Sequence, residues 1–479
     1  MNYSLIFYIV GWMLDLEALM MCLSGGVAIF YHEPCAMPIF VTALLCFILG
    51  SIMIIKKPSN REFSLKEGYL SVSLCWIILS LTGMLPFLLS GAIPDPVNAF
   101  FETVSGFTTT GSSILTDIES MPHGLLFWRS FTHWIGGMGV LVLVISVIPL
   151  VGGTRMNLMK AESPGPSVTR ILPTAKNSAR ILYVMYFAMS AVQVILLLIT
   201  GMPAFDSITI TFGTAGTGGF GVSNASCADY TAVQQVIITV FMILFGINFN
   251  AYFFIIRRNW KDAFGIEEIR YYLLVIVLST VVIATNIKNL YGSMGESLRQ
   301  SFFQVGSIIT TTGFCTTDYN QWPALSCTIL VLLMFLGACS GSTGGGIKIC
   351  RIVVLAKAIR REVRSYIYPG AVTPIRLDGK RVNDALIRSI YSYMAVYCLI
   401  FIGSMLFISL DGYDFTTNFT AVAATLNNVG PGLSLVGPVE NFAFFSAPSR
   451  FVLALDMLIG RLEIFPFLML FIPNAWKKF

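Results

Sequence analysis

The sequence predicts an all-α polytopic membrane protein in which four similar units follow two leading helices. Composition is the first reason: 56% of the 479 residues are apolar, only 11% are charged, and the mean hydropathy is +0.77. A soluble globular chain carries about 25% charged residues. The second reason is an internal repeat, because a glycine-rich stretch recurs four times, each time between two long apolar runs.

Ten apolar runs are long enough to cross a bilayer, whose hydrocarbon core needs about 20 apolar residues. They cover 4–31, 37–55, 69–91, 123–150, 179–201, 231–256, 271–290, 322–350, 389–410 and 447–476. The first run carries Asp15 and Glu17, which we expect to face a neighbouring helix or a polar edge.

Most basic residues fall on one side of the membrane in this layout, above all in segment 348–388. Loops rich in lysine and arginine stay in the cytoplasm, so both termini are predicted to be cytoplasmic. The ten cysteines are scattered and only three histidines occur, so we expect no disulfide framework and no His/Cys metal site.

The four glycine-rich stretches, called glycine segments 1 to 4 below, occupy 107–112, 215–220, 309–314 and 427–432. Each follows a short run typical of a pore helix. We therefore predict four span–pore-helix–filter–span units around one pore. Residues 1–67 would form the two leading helices, and units 1 to 4 would occupy 68–160, 161–262, 263–370 and 371–479.

This arrangement predicts an ion site, because four pore-helix C-termini favour a cation and rings of backbone carbonyls can replace the hydration shell of K⁺. The site is assigned to Thr109, Thr110, Gly111, Thr217, Gly218, Gly219, Thr311, Thr312, Gly313, Asn428, Val429 and Gly430. K⁺ is the only metal expected, and only there. Because segment 4 departs from the threonine pattern, we expect modest selectivity over sodium.

The chain resembles the Trk/Ktr/HKT superfamily of potassium transporters, most closely its bacterial Trk branch. The resemblance rests on the glycine segments and on three motifs at 134–139, 341–348 and 460–463. It implies potassium uptake across the bacterial inner membrane, a homodimer in the lipid bilayer, and a cytosolic TrkA-type ring that binds NAD or ATP/ADP. No covalently bound cofactor and no nucleic-acid partner are expected.

Consecutive glycines make poor helix, so the run from Gly337 to Lys348 should break its span. In the superfamily, an intramembrane loop and an arginine in these places obstruct the pore. The gate is accordingly assigned to Gly337, Gly341, Gly344, Gly345, Gly346 and Arg461. An alternative for Arg461 is a structural ion pair with Asp456 or Glu463. We expect Arg129 and Arg450 to snorkel at external span ends.

Two other functions remain as alternatives. An ion-coupled secondary transporter driven by protons or sodium would have inverted repeats and a midplane site. A membrane-anchored enzyme would need a nucleophile–His arrangement, an acid–base pair or a metal cluster, and the sequence favours none of these, so we expect no enzymatic activity. Convergence of the four glycines on one axis would favour the pore.

Overall fold

The computed structural model describes residues 2–58, 64–139, 175–369 and 373–477. These ranges are helical apart from turns and one small hairpin of Arg376–Leu377 with Lys380–Arg381, which confirms the predicted all-α class. The predicted boundary between units 1 and 2 lies outside the described residues. So do five basic residues that the sequence places on the cytoplasmic side: Arg61, Arg155, Lys160, Arg170 and Lys478.

The helices follow the predicted order. The leading pair is α1 (Tyr3–Phe30) and α2 (Ala36–Ile55). Unit 1 contains α3 (Leu65–Gly83), α4 (Leu85–Leu89), α5 (Pro96–Phe107) and α6 (His123–Gly137). Unit 2 contains α7 (Ala175–Ile199), α8 (Ala204–Gly216), α9 (Ala232–Phe245), α10 (Phe249–Ile256) and α11 (Trp260–Gly265). Unit 3 contains α12 (Glu267–Ile287), α13 (Met294–Ile309), α14 (Ala324–Leu336) and α15 (Ile349–Ile367). Unit 4 contains α16 (Asp384–Ile408), α17 (Phe415–Leu426), α18 (Ala447–Arg461) and α19 (Phe465–Leu468).

The pore helices are α5, α8, α13 and α17, and three of them begin at a polar cap. Asp95, Ser293 and Asp414 each accept a hydrogen bond from a backbone N–H of the first turn, at 3.0–3.1 Å. Such caps satisfy donors that have no partner inside the helix. They fix where each pore helix starts.

The four units close into a ring through one repeated helix contact. The helix after each glycine segment packs against the pore helix of the next unit: α6 on α8, α9 on α13, α14 on α17, and α18 back on α5. The leading helices lie outside this ring, since α1 packs on α2, α3 and α6. Glu17 is buried there and accepts a hydrogen bond from the Thr82 hydroxyl at 2.6 Å.

The second helix of units 1, 2 and 4 ends earlier than the apolar runs suggest, whereas α14 of unit 3 ends at Leu336, directly before the predicted break. Six described helices are long and apolar enough to cross a membrane, or seven if α9 and α10, bent by 92°, count as one span. The apolar runs 231–256 and 447–476 are each interrupted, because α9 ends at Phe245 and α18 ends at Arg461. In unit 1, α6 ends at Gly137, and residues 140–150 of its predicted span lie outside the described part.

Close backbone approach accompanies these helix ends. A methyl group on Gly136 would collide with the carbonyl of Phe107, and one on Gly460 would collide with the carbonyl of Leu426. Both carbonyls belong to the last residue of a pore helix. Hydropathy averages miss these breaks because mostly apolar residues follow Phe245 and Arg461.

Gly460→Ala should therefore destabilise the fold by about 1–3 kcal/mol, the usual cost of an overpacked core site. Gly403→Ala is the matched control: Gly403 is also helical and has open space around its Cα, so alanine should be neutral or stabilise by up to about 1 kcal/mol. Thermal unfolding in detergent measures both. Equal unfolding midpoints for the two variants would contradict the close contact at Gly460.

Candidate functional site

The four glycine segments share one backbone conformation. The residue two before each central glycine is left-handed, with φ between 54° and 58° at Thr109, Thr217, Thr311 and Asn428. The glycines themselves have φ between 80° and 105°. In all four, the N–H of the residue before the glycine donates to the carbonyl five residues earlier, at 2.8–2.9 Å. Four segments with three different side-chain patterns therefore end their pore helices with the same turn.

The central glycines lie against each other's segments in a closed ring. An added Cβ on Gly111 would strike the carbonyl oxygen of Gly218, and one on Gly219 would strike that of Thr312. Gly313 faces the carbonyl oxygen of Val429 in the same way, and a Cβ on Gly430 would lie 2.8 Å from that of Thr110. The contacts thus run from segment 1 to segment 2, from 2 to 3, from 3 to 4, and from 4 back to 1. The predicted site residues of the four segments are thus brought together around one axis.

A cavity of about 130 Å³ opens at this ring and is lined by all four central glycines. The chain that follows each segment forms its rim. A backbone N–H hydrogen bond joins each pair of neighbouring rim loops, so these bonds also close a ring. The four bonds are Ile118 to the Asn224 side chain at 2.8 Å, Cys227 to the Cys315 carbonyl at 2.8 Å, Ser434 to the Asn320 side chain at 3.0 Å, and Phe442 to the Ser113 carbonyl at 2.8 Å. The rim therefore holds the four segments from one side.

Side chains support the segments differently. In segments 1 and 3, threonine hydroxyls pair across one residue: Thr108 with Thr110 at 2.8 Å, and Thr310 with Thr312 at 2.7 Å. Segment 4 is tied to segment 1 instead, since the Asn428 amide donates to the Thr110 hydroxyl at 2.9 Å. The Ser112 hydroxyl returns a bond to the Gly430 carbonyl, also at 2.9 Å.

Arg129 supports segment 2 from inside the protein, and the prediction that it snorkels is wrong. Its side chain is 2% exposed and pairs at 2.6 Å with Glu102, which is 1% exposed. The guanidinium also donates to the carbonyl of Gly221 at 3.0 Å and lies 3.5 Å from the centre of the Phe220 ring. A buried charge needs such a partner, and the carboxylate on the pore helix of unit 1 provides it.

His133 is a further buried residue that sequence reasoning did not single out, although it directly precedes the 134–139 motif. Its Nδ1 lies 2.8 Å from the carbonyl oxygen of Gly106 in α5. Its Nε2 accepts a hydrogen bond from the N–H of Phe220 at 3.2 Å. The imidazole therefore joins the pore helix of unit 1 to glycine segment 2.

Residues 337–348, called the intramembrane loop, separate α14 from α15 as predicted. Gly337, Gly341 and Gly346 have φ between 66° and 74°, a region that suits glycine. The N–H of Gly345 donates to the hydroxyl of Thr311 at 2.6 Å, and that of Gly346 donates to the carbonyl of Asn427 at 3.0 Å. The loop thus contacts glycine segments 3 and 4 directly.

Arg461 reaches this loop from the end of α18. Its guanidinium donates to the carbonyl of Thr343 at 2.9 Å, and to those of Gly136 and Gly137 at 2.6 and 3.0 Å. It thereby joins unit 4, the loop of unit 3 and the end of α6.

The carboxylates considered as partners of Arg461 have other contacts. Glu463 pairs with Arg351, and Asp456 accepts the Ser404 hydroxyl at 2.7 Å. Five oxygen atoms around the loop accept hydrogen bonds from Gly345, Gly346 or Arg461. They are the hydroxyl of Thr311 and the carbonyls of Asn427, Thr343, Gly136 and Gly137.

Known proteins share this sequence and architecture. Residues 36–478 match the family described as TrkH, cation transport protein. The Trk system potassium uptake proteins TrkH of Salmonella typhimurium and Escherichia coli K12 are 35% and 34% identical to this chain, with complete coverage of both chains. The crystal structure of the potassium transporter TrkH from Vibrio parahaemolyticus matches with a TM-score of 0.89 and 31% identity over all of both chains. With these matches and the ring of four glycine segments in place, the chain belongs to the TrkH family of cation transport proteins.

Proposed function

We propose that the protein carries K⁺ into the cell through a channel-like pore that passes the ring of glycine segments. One observation supports this most: each central glycine lies against a backbone carbonyl of the next segment, and the ring closes. Close, neutral carbonyl oxygens suit a dehydrated monovalent cation. The relatives named potassium uptake proteins support the choice of ion. We also propose that the protein lies in the bacterial inner membrane with both termini in the cytoplasm.

The coordinating groups are proposed to be the carbonyls of the residue pairs ending at the central glycines. These are Thr110 with Gly111, Gly218 with Gly219, Thr312 with Gly313, and Val429 with Gly430. The parallel order of the four units favours a pore over alternating access, which would use inverted repeats.

Gly313→Ser should lower the preference for K⁺ over Na⁺, because a side chain there meets the Val429 carbonyl while the backbone needs φ 84°. We expect roughly a tenfold loss, equivalent to about 1.4 kcal/mol. Gly412→Ser is the matched control, since Gly412 has φ 81° but open space around it. Rubidium and potassium uptake into liposomes, with and without competing sodium, measures the preference.

A Gly313→Ser protein with the wild-type ion preference would show that the carbonyl ring is not the selective site. Wild-type uptake that depends on a proton or sodium gradient would favour the secondary transporter instead.

The intramembrane loop and Arg461 are proposed to form the gate. The loop carries two N–H bonds to segments 3 and 4, so it occupies space directly beside the ring. Arg461 fixes the loop through Thr343, and a positive charge at this depth raises the barrier to a cation. Opening would break these contacts and move the loop through the attached helix α15.

Deleting Gly344–Gly346, or Arg461→Ala, should raise potassium flux in the absence of a partner. Hydrogen bonds from a charged group contribute about 1.5–3 kcal/mol each, so losing them should raise flux roughly tenfold or more. Arg450→Ala is the control for Arg461→Ala, because Arg450 lies at the other end of α18 and pairs with Asp95 at 3.7 Å. Folding and membrane insertion are checked first. Flux no faster than wild type in both gate variants would assign Arg461 to packing.

We propose that a cytosolic nucleotide-binding ring regulates the gate by docking on α15. We also propose that two copies of this chain form a homodimer. Helix α15 continues directly from the intramembrane loop. Its far half exposes Arg360 and Arg364 beside apolar Ile359, Val363 and Tyr366. Basic and apolar groups together suit an acidic protein surface with an apolar centre.

Charge reversal of Arg360, Arg361 and Arg364 should abolish co-purification of a TrkA-type partner. Reversal of Arg258 and Lys261, which are exposed outside α15, should leave it intact. Pull-down at low and high salt measures capture by both charge-reversal variants. Exposed interface charges act mainly through attraction that salt weakens. Unchanged capture by the α15 variant would exclude this helix as the docking surface.

A further inference from the structure

Glycine segment 2 lacks the side chains that support its counterparts. At three and one residues before the central glycine, segments 1 and 3 have threonine pairs whose hydroxyls lie within 2.8 Å. Segment 2 has Gly216 and Gly218 in these two places. Its backbone nevertheless adopts the same turn as the others, with Thr217 at φ 55° and Gly219 at φ 80°. Something other than its own side chains must hold it.

The imidazole of His133 fills the space that a side chain at position 218 would occupy. A Cβ added to Gly218 would overlap the Nδ1, Cγ and Cε1 atoms of the ring. A Cβ added to Gly216 would overlap the carbonyl of His133. Gly218 and the histidine are therefore complementary, since threonine at position 218 requires the imidazole to leave. A side chain at position 216 would meet the backbone carbonyl of residue 133 whatever side chain that residue carries.

The hydrogen bonds of His133 define its tautomer. A carbonyl oxygen can only accept, so Nδ1 carries the proton and donates to Gly106. Nε2 is then the acceptor for the N–H of Phe220, the residue directly after Gly219. The side chain is 0% exposed, and its ring centre lies 4.1 Å from that of Phe220. A neutral imidazole thus links α5 to the far end of segment 2.

We propose that His133 is a positioning residue that sets ion selectivity by holding glycine segment 2 in register with the ring. This inference rests on the proposed function of the segments as the selective site. Segment 2 makes two contacts in the ring: the Gly218 carbonyl lies against Gly111, and Gly219 lies against the Thr312 carbonyl. Movement of segment 2 therefore changes two of the four contacts and widens the ring on one side.

Three substitutions separate positioning from packing. Asparagine can keep the donor near Nδ1, glutamine can keep the acceptor near Nε2, and alanine keeps neither. Because the Nε2 bond reaches segment 2 itself, preference for K⁺ over Na⁺ should fall in the order wild type, His133→Gln, His133→Asn, His133→Ala. The alanine variant should lose roughly five- to tenfold, the effect of one or two hydrogen bonds.

A rescue tests the complementarity. Adding Gly218→Thr to His133→Ala places a threonine where segments 1 and 3 have Thr110 and Thr312, and should recover part of the preference. The same threonine beside an intact His133 should block uptake, because its Cβ would overlap the imidazole. His123→Ala, in the same helix but 46% exposed, is the control and should keep the wild-type ion ratio.

The measurement is uptake of K⁺ and Na⁺ by full-length protein in liposomes. A selective wild type whose ion ratio survives all three His133 substitutions would overturn the positioning role and leave the proposed function standing. Equal loss of both ions without a change in ratio would likewise overturn it, because packing alone gives that result. If His133→Ala does not fold, the order of the glutamine and asparagine variants decides. A wild type without potassium uptake would remove the proposed function and this inference together.

Discussion

The close approach of four backbone strands around one axis is the constraint on which the rest of this structure depends. Each central glycine touches a carbonyl oxygen of the next segment, so no side chain fits at these four positions. Backbone in such a place has few intrahelical hydrogen bonds, and non-helical chain at membrane depth must be enclosed by protein or water. The cyclic packing of each second helix on the next pore helix supplies that enclosure. The early ends of α6, α9, α14 and α18 follow, because these helices must stop where the segments and the intramembrane loop need room.

The same backbone turn is supported by three kinds of side chain. Threonine pairs serve segments 1 and 3, a histidine from α6 serves segment 2, and an asparagine bridge joins segment 4 to segment 1. In a single chain, each of the four units can carry different supporting side chains, whereas four identical subunits must all carry the same ones. Charge is distributed unevenly as well: the Arg129–Glu102 pair is buried beside units 1 and 2, while Arg461 contacts the loop of unit 3 and the end of α6.

The sequence alone predicts the parts of this architecture that repeat. The central glycines, the pore helices and the loop at Gly337 all carry local signals, namely recurrence, capping residues and consecutive glycines. The remaining features depend on distant partners. His133 and Phe220 are 87 residues apart, and only the fold brings them together. Arg129 looked like an external-end arginine because its carboxylate lies on another helix. The ends of α9 and α18 carry little hydropathy signal, since apolar residues continue past both. A signal for His133 did exist in the two glycines of segment 2, which are unusual where threonine recurs.

Closure of the ring has a consequence for biosynthesis. The bond from Ser112 to Gly430 joins residues 318 positions apart, and α18 near the C-terminus packs against α5 near the N-terminus. During translation, units 1 to 3 therefore reach the membrane well before unit 4. Until unit 4 has been inserted, unit 1 lacks its neighbour α18 on one flank and segment 1 lacks the bonds to segment 4. A polypeptide that ends before unit 4 consequently lacks the contacts that close the ring of glycine segments.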